Sequence, residues 1–181
     1  MLESLAFVIL TWPALWYGSI FVFGAAFGSF LNVVVYRLPR AMSLSRPSSH
    51  CPRCKRAIRW RHNLPIVGWL LLRGKCHDCR LPIPLRYPAV ELGTALIWMV
   101  SAKVLTLAEP WTSIRFDAAT GEVEYMFNGE LFAGWLALAS FLTGLLGAIL
   151  IRIDGQRVPL GLLVWNLVSA GVAALCLIKR G

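Results

Sequence analysis

Acidic residues are scarce in this chain: nine Asp and Glu stand against eighteen Lys and Arg. Between Arg37 and Tyr87 a single acid, Asp78, faces twelve basic residues (Arg37, Arg40, Arg46, Arg53, Lys55, Arg56, Arg59, Arg61, Arg73, Lys75, Arg80 and Arg86). Charge of either sign is missing from Leu5–Tyr36, Leu131–Ile151 and Val158–Ile178. Runs of that kind exclude an ordinary soluble domain, because about 20 apolar residues of helix cross a hydrocarbon core of ~30 Å. A basic stretch ahead of the first run is also missing. Glu3 stands there and the run is too long, so a cleaved signal peptide is not expected. No aromatic-interleaved basic stripe or nucleic-acid motif accompanies the net charge of +9. That charge therefore reads as membrane orientation and contact with anionic lipid head groups, with no nucleic acid as partner.

What is present is apolar helix. The chain is 57% hydrophobic, with a mean hydropathy of +0.65. The pattern predicts an all-α polytopic membrane protein with about four spans, a small zinc-ribbon-like domain and a short β-hairpin. Residues 1–36 form an N-terminal segment and first span, the span itself running from about Ala14 to Tyr36 after a break at Pro13. Trp12, Trp16 and Tyr17 are placed at the outer interface. Residues 37–87 form the basic domain, 88–108 the second span, 109–130 the hairpin and 131–181 the third and fourth spans. A basic loop between spans is normally cytoplasmic. Both termini and the hairpin are then outside, and the mainly acidic 109–130 segment agrees. Lys179-Arg180 fits that orientation poorly, but two terminal charges weigh less than twelve loop charges. The hairpin is read from Ser113–Phe116, the turn-like Asp117–Gly121 and Val123–Phe127.

Two Cys-x-x-Cys pairs, Cys51–Cys54 and Cys76–Cys79, lie inside the basic domain. Grouped two and two, they suit a closed tetrahedral Zn²⁺ site that staples a domain too small to hold a core. A reducing cytoplasm disfavours disulfides, and no βαβ setting supports a redox pair. His77, inside the second pair, is an alternative ligand. His50 and His62 are expected to be exposed. Ile66–Leu72 is apolar but too short to span, so it either dips into the leaflet or packs on the zinc domain. Cys176 reads as an apolar residue of the last span.

The order of motifs is informative as a set. Gly28-Ser-Phe-Leu-Asn32 and Tyr36-Arg37-Leu-Pro39 are followed by Cys51-Pro-x-Cys54, Ile58-Arg-Trp60 and Asn63-Leu-Pro65. Then come Arg73-Gly74-Lys-Cys76-x-x-Cys79, Pro82-Ile-Pro, Arg86-Tyr87-Pro88 and Val90-Glu91-Leu92. Together they resemble the N-terminal domain of type IV prepilin peptidases, densely over residues 24–93 and more weakly to about residue 165. The resemblance implies a multi-pass bacterial inner-membrane protein of the type IV pilus or type II secretion systems. It implies trimming of prepilin leaders and methylation of the new terminus from S-adenosylmethionine.

The resemblance is weaker at the chemistry. That family uses two membrane-embedded aspartates, one in a Gly-x-Gly-Asp motif, and these 181 residues contain no such motif. Aligned through Pro159, Ile151–Pro159 places Arg152 at the other catalytic position and Asp154 at a neighbouring, non-catalytic one. Two residues along a helix turn a side chain by about 200°. An aspartyl dyad needs two carboxylates that share a proton, and Glu91 with Asp154 is the available pair. Their other readings are a dipole-stabilised acid for Glu91 and a turn residue for Asp154. Gly28, Ser29, Asn32 and Arg37 are candidate substrate contacts, with helix packing as the alternative for the first three. Gly24, Gly28, Gly144 and Gly147 lie within spans, where they mark no cofactor turn. The expected activity is therefore non-proteolytic binding of a pilin-like or partner membrane helix. The alternatives are a methyltransferase, a peptidase completed by another chain, and a structural subunit of an unrelated membrane complex.

Overall fold

A computed structural model describes residues 13–108, 110–116 and 123–178. The element order is α1 (Pro13–Arg37), two single-turn 3₁₀ helices (Leu38–Arg40 and Trp60–His62), α2 (Val67–Leu71), α3 (Arg86–Ala108), β1 (Thr112–Phe116), β2 (Val123–Phe127), α4 (Gly129–Ile153) and α5 (Leu160–Ile178). Among the described residues, α1, α3 and α4 are long and apolar enough to cross a membrane. The fourth long helix, α5, has 19 residues and packs along α4. Trp12, the turn at 117–121 and Lys179-Arg180 lie outside the described residues.

Small residues set the helix packing. A Cβ on Gly24 would stand 2.8 Å from the Cα of Ala95, and one on Gly28 would stand 2.7 Å from the Cα of Glu91. Only hydrogen fits there, so α1 and α3 lie backbone to backbone, as small-xxx-small patterns allow in lipid. Gly144 meets the side chain of Asn166 in the same way and seats α5 on α4. Gly155, at φ +70°, makes the left-handed step after α4 that turns the chain back towards α5.

The described core has two parts. Ile20, Trp98, Ala102, Trp111, Leu131, Trp135 and Ala139 are buried together at the hairpin end. Leu31, Val34, Val35, Val90, Ile151 and Leu162 are buried together at the other end, below the cysteines. Trp16, expected at an interface, joins the hairpin end with its ring 5.2 Å from that of Trp111. The hairpin is antiparallel, with Ile114 opposite Tyr125 and Phe116 opposite Val123. The outward faces of the helices are apolar: Leu160, Leu167 and Ile178 are about three-quarters exposed. Lipid is the solvent that such a surface needs.

Candidate metal centre and membrane junction

Each cysteine pair builds the same local loop. The N–H of Lys55 donates to Cys51 O at 2.9 Å, and the N–H of Cys51 donates to Arg56 O at 3.0 Å. Twenty-five residues later, Arg80 N donates to Cys76 O at 3.0 Å and Cys76 N donates to Leu81 O at 2.8 Å. The fifth residue of each loop is left-handed, Lys55 at φ 60° and Arg80 at φ 61°. That conformation normally favours glycine, so each loop holds its backbone against a local cost. The His50–Ala57 and Lys75–Pro82 bridges close the bases of the two loops.

The two loops face each other through their thiols. All four Sγ atoms lie within 4.8 Å of one another, with Cys51 3.9 Å from Cys79 and Cys54 4.0 Å from Cys76. Ligands at 2.3 Å in a tetrahedron would be about 3.8 Å apart, whereas a disulfide requires about 2.05 Å. The donor set therefore fits one metal ion such as zinc, and the cysteines are free thiols. Four thiols this close do not ionise independently. Backbone N–H donation from Cys54 brings Cys51 down to about 7. At Cys79 the N–H of Leu81 favours the thiolate, but burial and hydrogen bonds to Cys76, Cys54 and Cys51 push it up to about 11. A divalent cation would supply the charge that lets all four act as thiolates. His77 stands beside the cluster, not in it: its ring stacks on His62 at 5.0 Å, and its nitrogens face Arg59 and Asp78.

Below the cysteines, the module is tied to the helices. The carboxylate of Glu91, on the second turn of α3, accepts the N–H of Ile66 at 2.6 Å. Ile66 has φ 62° and ψ −54°, and Val67 N donates back to Pro65 O at 2.6 Å. This is a γ-turn centred on a β-branched residue, a strained arrangement. The amide of Asn32 donates to Tyr87 O at 3.2 Å. Arg37 is buried and donates to the carbonyls of Ser43 at 3.0 Å and Pro47 at 2.8 Å, which folds the 43–47 loop over the end of α1. Gly28 is closed off by Glu91.

Asp154 caps the far side of the same end. Both its oxygens are held by Arg86, at the start of α3, one of them at 2.9 Å. The Arg86 hydrogen bonds hold the Asp154 carboxyl below the usual carboxylate range. Glu91 and Asp154 thus accept from different groups, and Asp154 is committed to a guanidinium. Arg152 is exposed at the end of α4.

An open groove of about 600 Å³ runs between the last turns of α1 and the cysteine module. Ser29 and Arg37 line it, as do Phe30, Val33, Ile58 and Trp60. The last four were not named as site residues from the sequence, although Phe30, Ile58 and Trp60 stand within motifs quoted there. The signal for Phe30 and Trp60 is apolar exposure, 50% and 79%, which a one-dimensional reading does not contain. The glycines considered for S-adenosylmethionine are engaged in helix packing: Gly24 and Gly28 against α3, Gly144 against Asn166, and Gly147 against Leu31. They form no cradle for that cofactor.

Comparison with known proteins places this architecture. Residues 22–105 match the Bacterial Peptidase A24 N-terminal domain. A prepilin leader peptidase/N-methyltransferase of Myxococcus xanthus is 49% identical, covering 44% of this chain and 24% of the relative. One from Klebsiella pneumoniae is 38% identical over 61% of this chain and 52% of its own. One from Aeromonas salmonicida is 33% identical over 82% of this chain and 59% of its own. The chain therefore spans from a quarter to somewhat over half of these relatives. No solved structure matches it. The matched residues carry both cysteine loops, the Glu91 junction and the groove, and this part of the chain is a Bacterial Peptidase A24 N-terminal domain.

Proposed function

We propose that this chain is an inner-membrane, prepilin-peptidase-like protein that binds a pilin-like membrane helix and does not cleave it alone. Four helices span the bilayer, the cysteine module holds structural Zn²⁺ on the cytoplasmic side, and the hairpin lies outside. The observation that carries the reading is the groove. It joins an apolar helix face, Phe30 and Val33, with Ser29 beside them, to a polar rim at Ser45, Ser48, Ser49 and Asn63, behind which lies the buried Arg37. An apolar helix followed by a polar peptide segment would match both halves. Against proteolysis by these residues stand Arg152 at the aligned catalytic position and the engagement of Asp154 by Arg86. A fixed cation keeps a neighbouring carboxylate ionised, which opposes a shared proton.

The test uses the purified chain in liposomes with a leader-bearing prepilin and a photo-crosslinker at Phe30. The expected result is a pilin crosslink at residue 30 and no shortened product. Cleavage that disappears in both Glu91→Gln and Asp154→Asn would overturn it. Methyl transfer from S-adenosylmethionine to a trimmed pilin would favour the transferase reading. Co-purification from native membranes with a large unrelated assembly would favour a structural subunit. For orientation, a cysteine introduced at Arg115 should react with an impermeant reagent from outside; reaction only in broken membranes would reverse the topology.

A further inference from the structure

The short helix α2 is built inside out. Val67, Leu70 and Leu71 stand at i, i+3 and i+4, the spacing of one helical face, and are 47%, 59% and 65% exposed. The opposite side is the packed one. Gly68 lies so close to the carbonyl of His62 that a Cβ would overlap it, and Trp69 donates its indole N–H to Ile83 O at 3.1 Å while covering Gly74. An apolar face turned outward on a module bounded by basic residues has no place in water.

Its place beside α3 is set by one bond. The residue just before α2, Ile66, donates to Glu91, which stands five residues into α3. At 1.5 Å per residue, that is about 7.5 Å along the helix from Arg86. The helix α3 is one of the membrane-length helices, running as an apolar span from Arg86 to Leu107. The entry to α2 is therefore tied to the first turns of α3, at the end where that membrane-length helix begins, as an interfacial helix would be. The γ-turn at Ile66 presents the N–H that makes this tie. Arg61, Arg73 and Lys75 flank the helix, are exposed, and have no carboxylate partner among the described residues.

We infer that α2 is a monotopic interfacial helix. Val67, Leu70 and Leu71 enter the acyl boundary of the leaflet on the module's side, and Arg61, Arg73 and Lys75 meet its anionic head groups. The occupant of this face is lipid, because the bond to Glu91 holds α2 against a membrane-length helix and the flanking charge complements an anionic surface. Glu91 acts as the positioning residue that sets the depth. The inference does not depend on what the groove binds.

The test uses the full, metal-loaded chain with Cys176→Ser, carrying single spin labels at Val67→Cys, Leu70→Cys or Leu71→Cys. It is reconstituted in bilayers of three parts phosphatidylcholine to one part phosphatidylglycerol, with metal content checked for each variant. The expected result is collision with dissolved oxygen several-fold above collision with an aqueous nickel chelate at all three positions. Addition of Glu91→Gln should shift the balance towards nickel. Nickel access equal to oxygen access in the parent would overturn the inference, because the face would be in water. Shielding from both would also overturn it, because a protein would then cover the face. Should the cysteine variants lose metal, Leu71→Trp keeps the face apolar. Quenching of its added emission by lipids brominated high on the acyl chain supports the inference, and quenching by aqueous acrylamide alone overturns it.

Discussion

The two ends of this helical bundle hold themselves together by different physics. At the hairpin end, Trp16, Trp98, Trp111, Phe132 and Trp135 pack ring on ring, with Trp98 and Trp135 edge to face at 5.7 Å. Polar groups there serve the rings: Trp135 donates to Ser101 at 3.1 Å and Trp98 to Thr143 at 3.0 Å. At the other end, the module carries most of its large apolar side chains on the outside and few within. Its order comes from four thiols, paired backbone loops and single ties such as Ile66 to Glu91 and Arg37 to the 43–47 carbonyls. A redundant aromatic core spreads its stability over many contacts. A metal-type staple concentrates it in one place, so the same kind of substitution should have unlike consequences at the two ends.

The sharpest way to test the contrast is Cys76→Ser, which removes the buried thiol. Structural zinc in small domains contributes on the order of 10 kcal/mol or more to folding, so losing one ligand should unfold residues 43–85 as a unit. Limited proteolysis should cut there while near-ultraviolet circular dichroism from the aromatic end persists. If the module stays protected and keeps its metal, the staple account fails.

The reciprocal change is Trp135→Ala. Truncating a buried aromatic costs about 3–5 kcal/mol, and the Ser101 hydroxyl and the Trp98 carbonyl lose the indole N–H that they accept from Trp135. The hairpin and the top of α4 should loosen, with thermal unfolding at lower temperature, yet metal stoichiometry should stay at one per chain. Loss of metal together with the aromatic signal would mean that the ends are one cooperative unit.

A smaller effect is expected at the Arg86–Asp154 pair, which ties the module's exit to the α4–α5 turn. The pair is partly exposed, so a double-mutant cycle of Arg86→Gln and Asp154→Asn should give a coupling of about 1 kcal/mol or less. Its pH dependence has a definite sign. The folded pKa of Asp154 lies below its ordinary value, so the stabilisation is present above the unfolded pKa near 4 and is lost as pH falls through the lower folded value. Coupling that grows in acid would contradict the ion pair. The smallest effect is a gain: Lys55→Gly relieves the left-handed residue of the first loop and should stabilise the module by roughly 0.5–1 kcal/mol, read as slower metal loss to a chelator. Faster loss would mean that the lysine side chain has a role that outweighs its backbone.

What could be read from the chain alone follows from local chemistry. Uncharged runs of membrane length, the Cys-x-x-Cys spacing and the strand–turn–strand at 113–127 each signal themselves within a few residues, because hydropathy, thiol affinity and β-branching act locally. The antiparallel pair of strands and the four-cysteine cluster are present. Three helices meet the length and composition for a span, and α5 stands beside them as the fourth long helix.

Other features depended on residues far apart in sequence. That Glu91 reaches the N–H of Ile66, twenty-five positions away, could not be inferred, because a backbone donor carries no sequence signature. Arg86 was one basic residue among twelve until the fold set it against Asp154, 68 positions on. Composition assigned Ile66–Leu72 either to the leaflet or to the module; Trp69 packs on the module, and Leu70 and Leu71 are turned out. The sequence by itself determined which segments are apolar, which are basic and where four thiols can meet. Only the tertiary structure decided which carboxylate takes which donor and which face of a five-residue helix is left uncovered. Those choices are made by distances between chain segments, and no residue type encodes them alone.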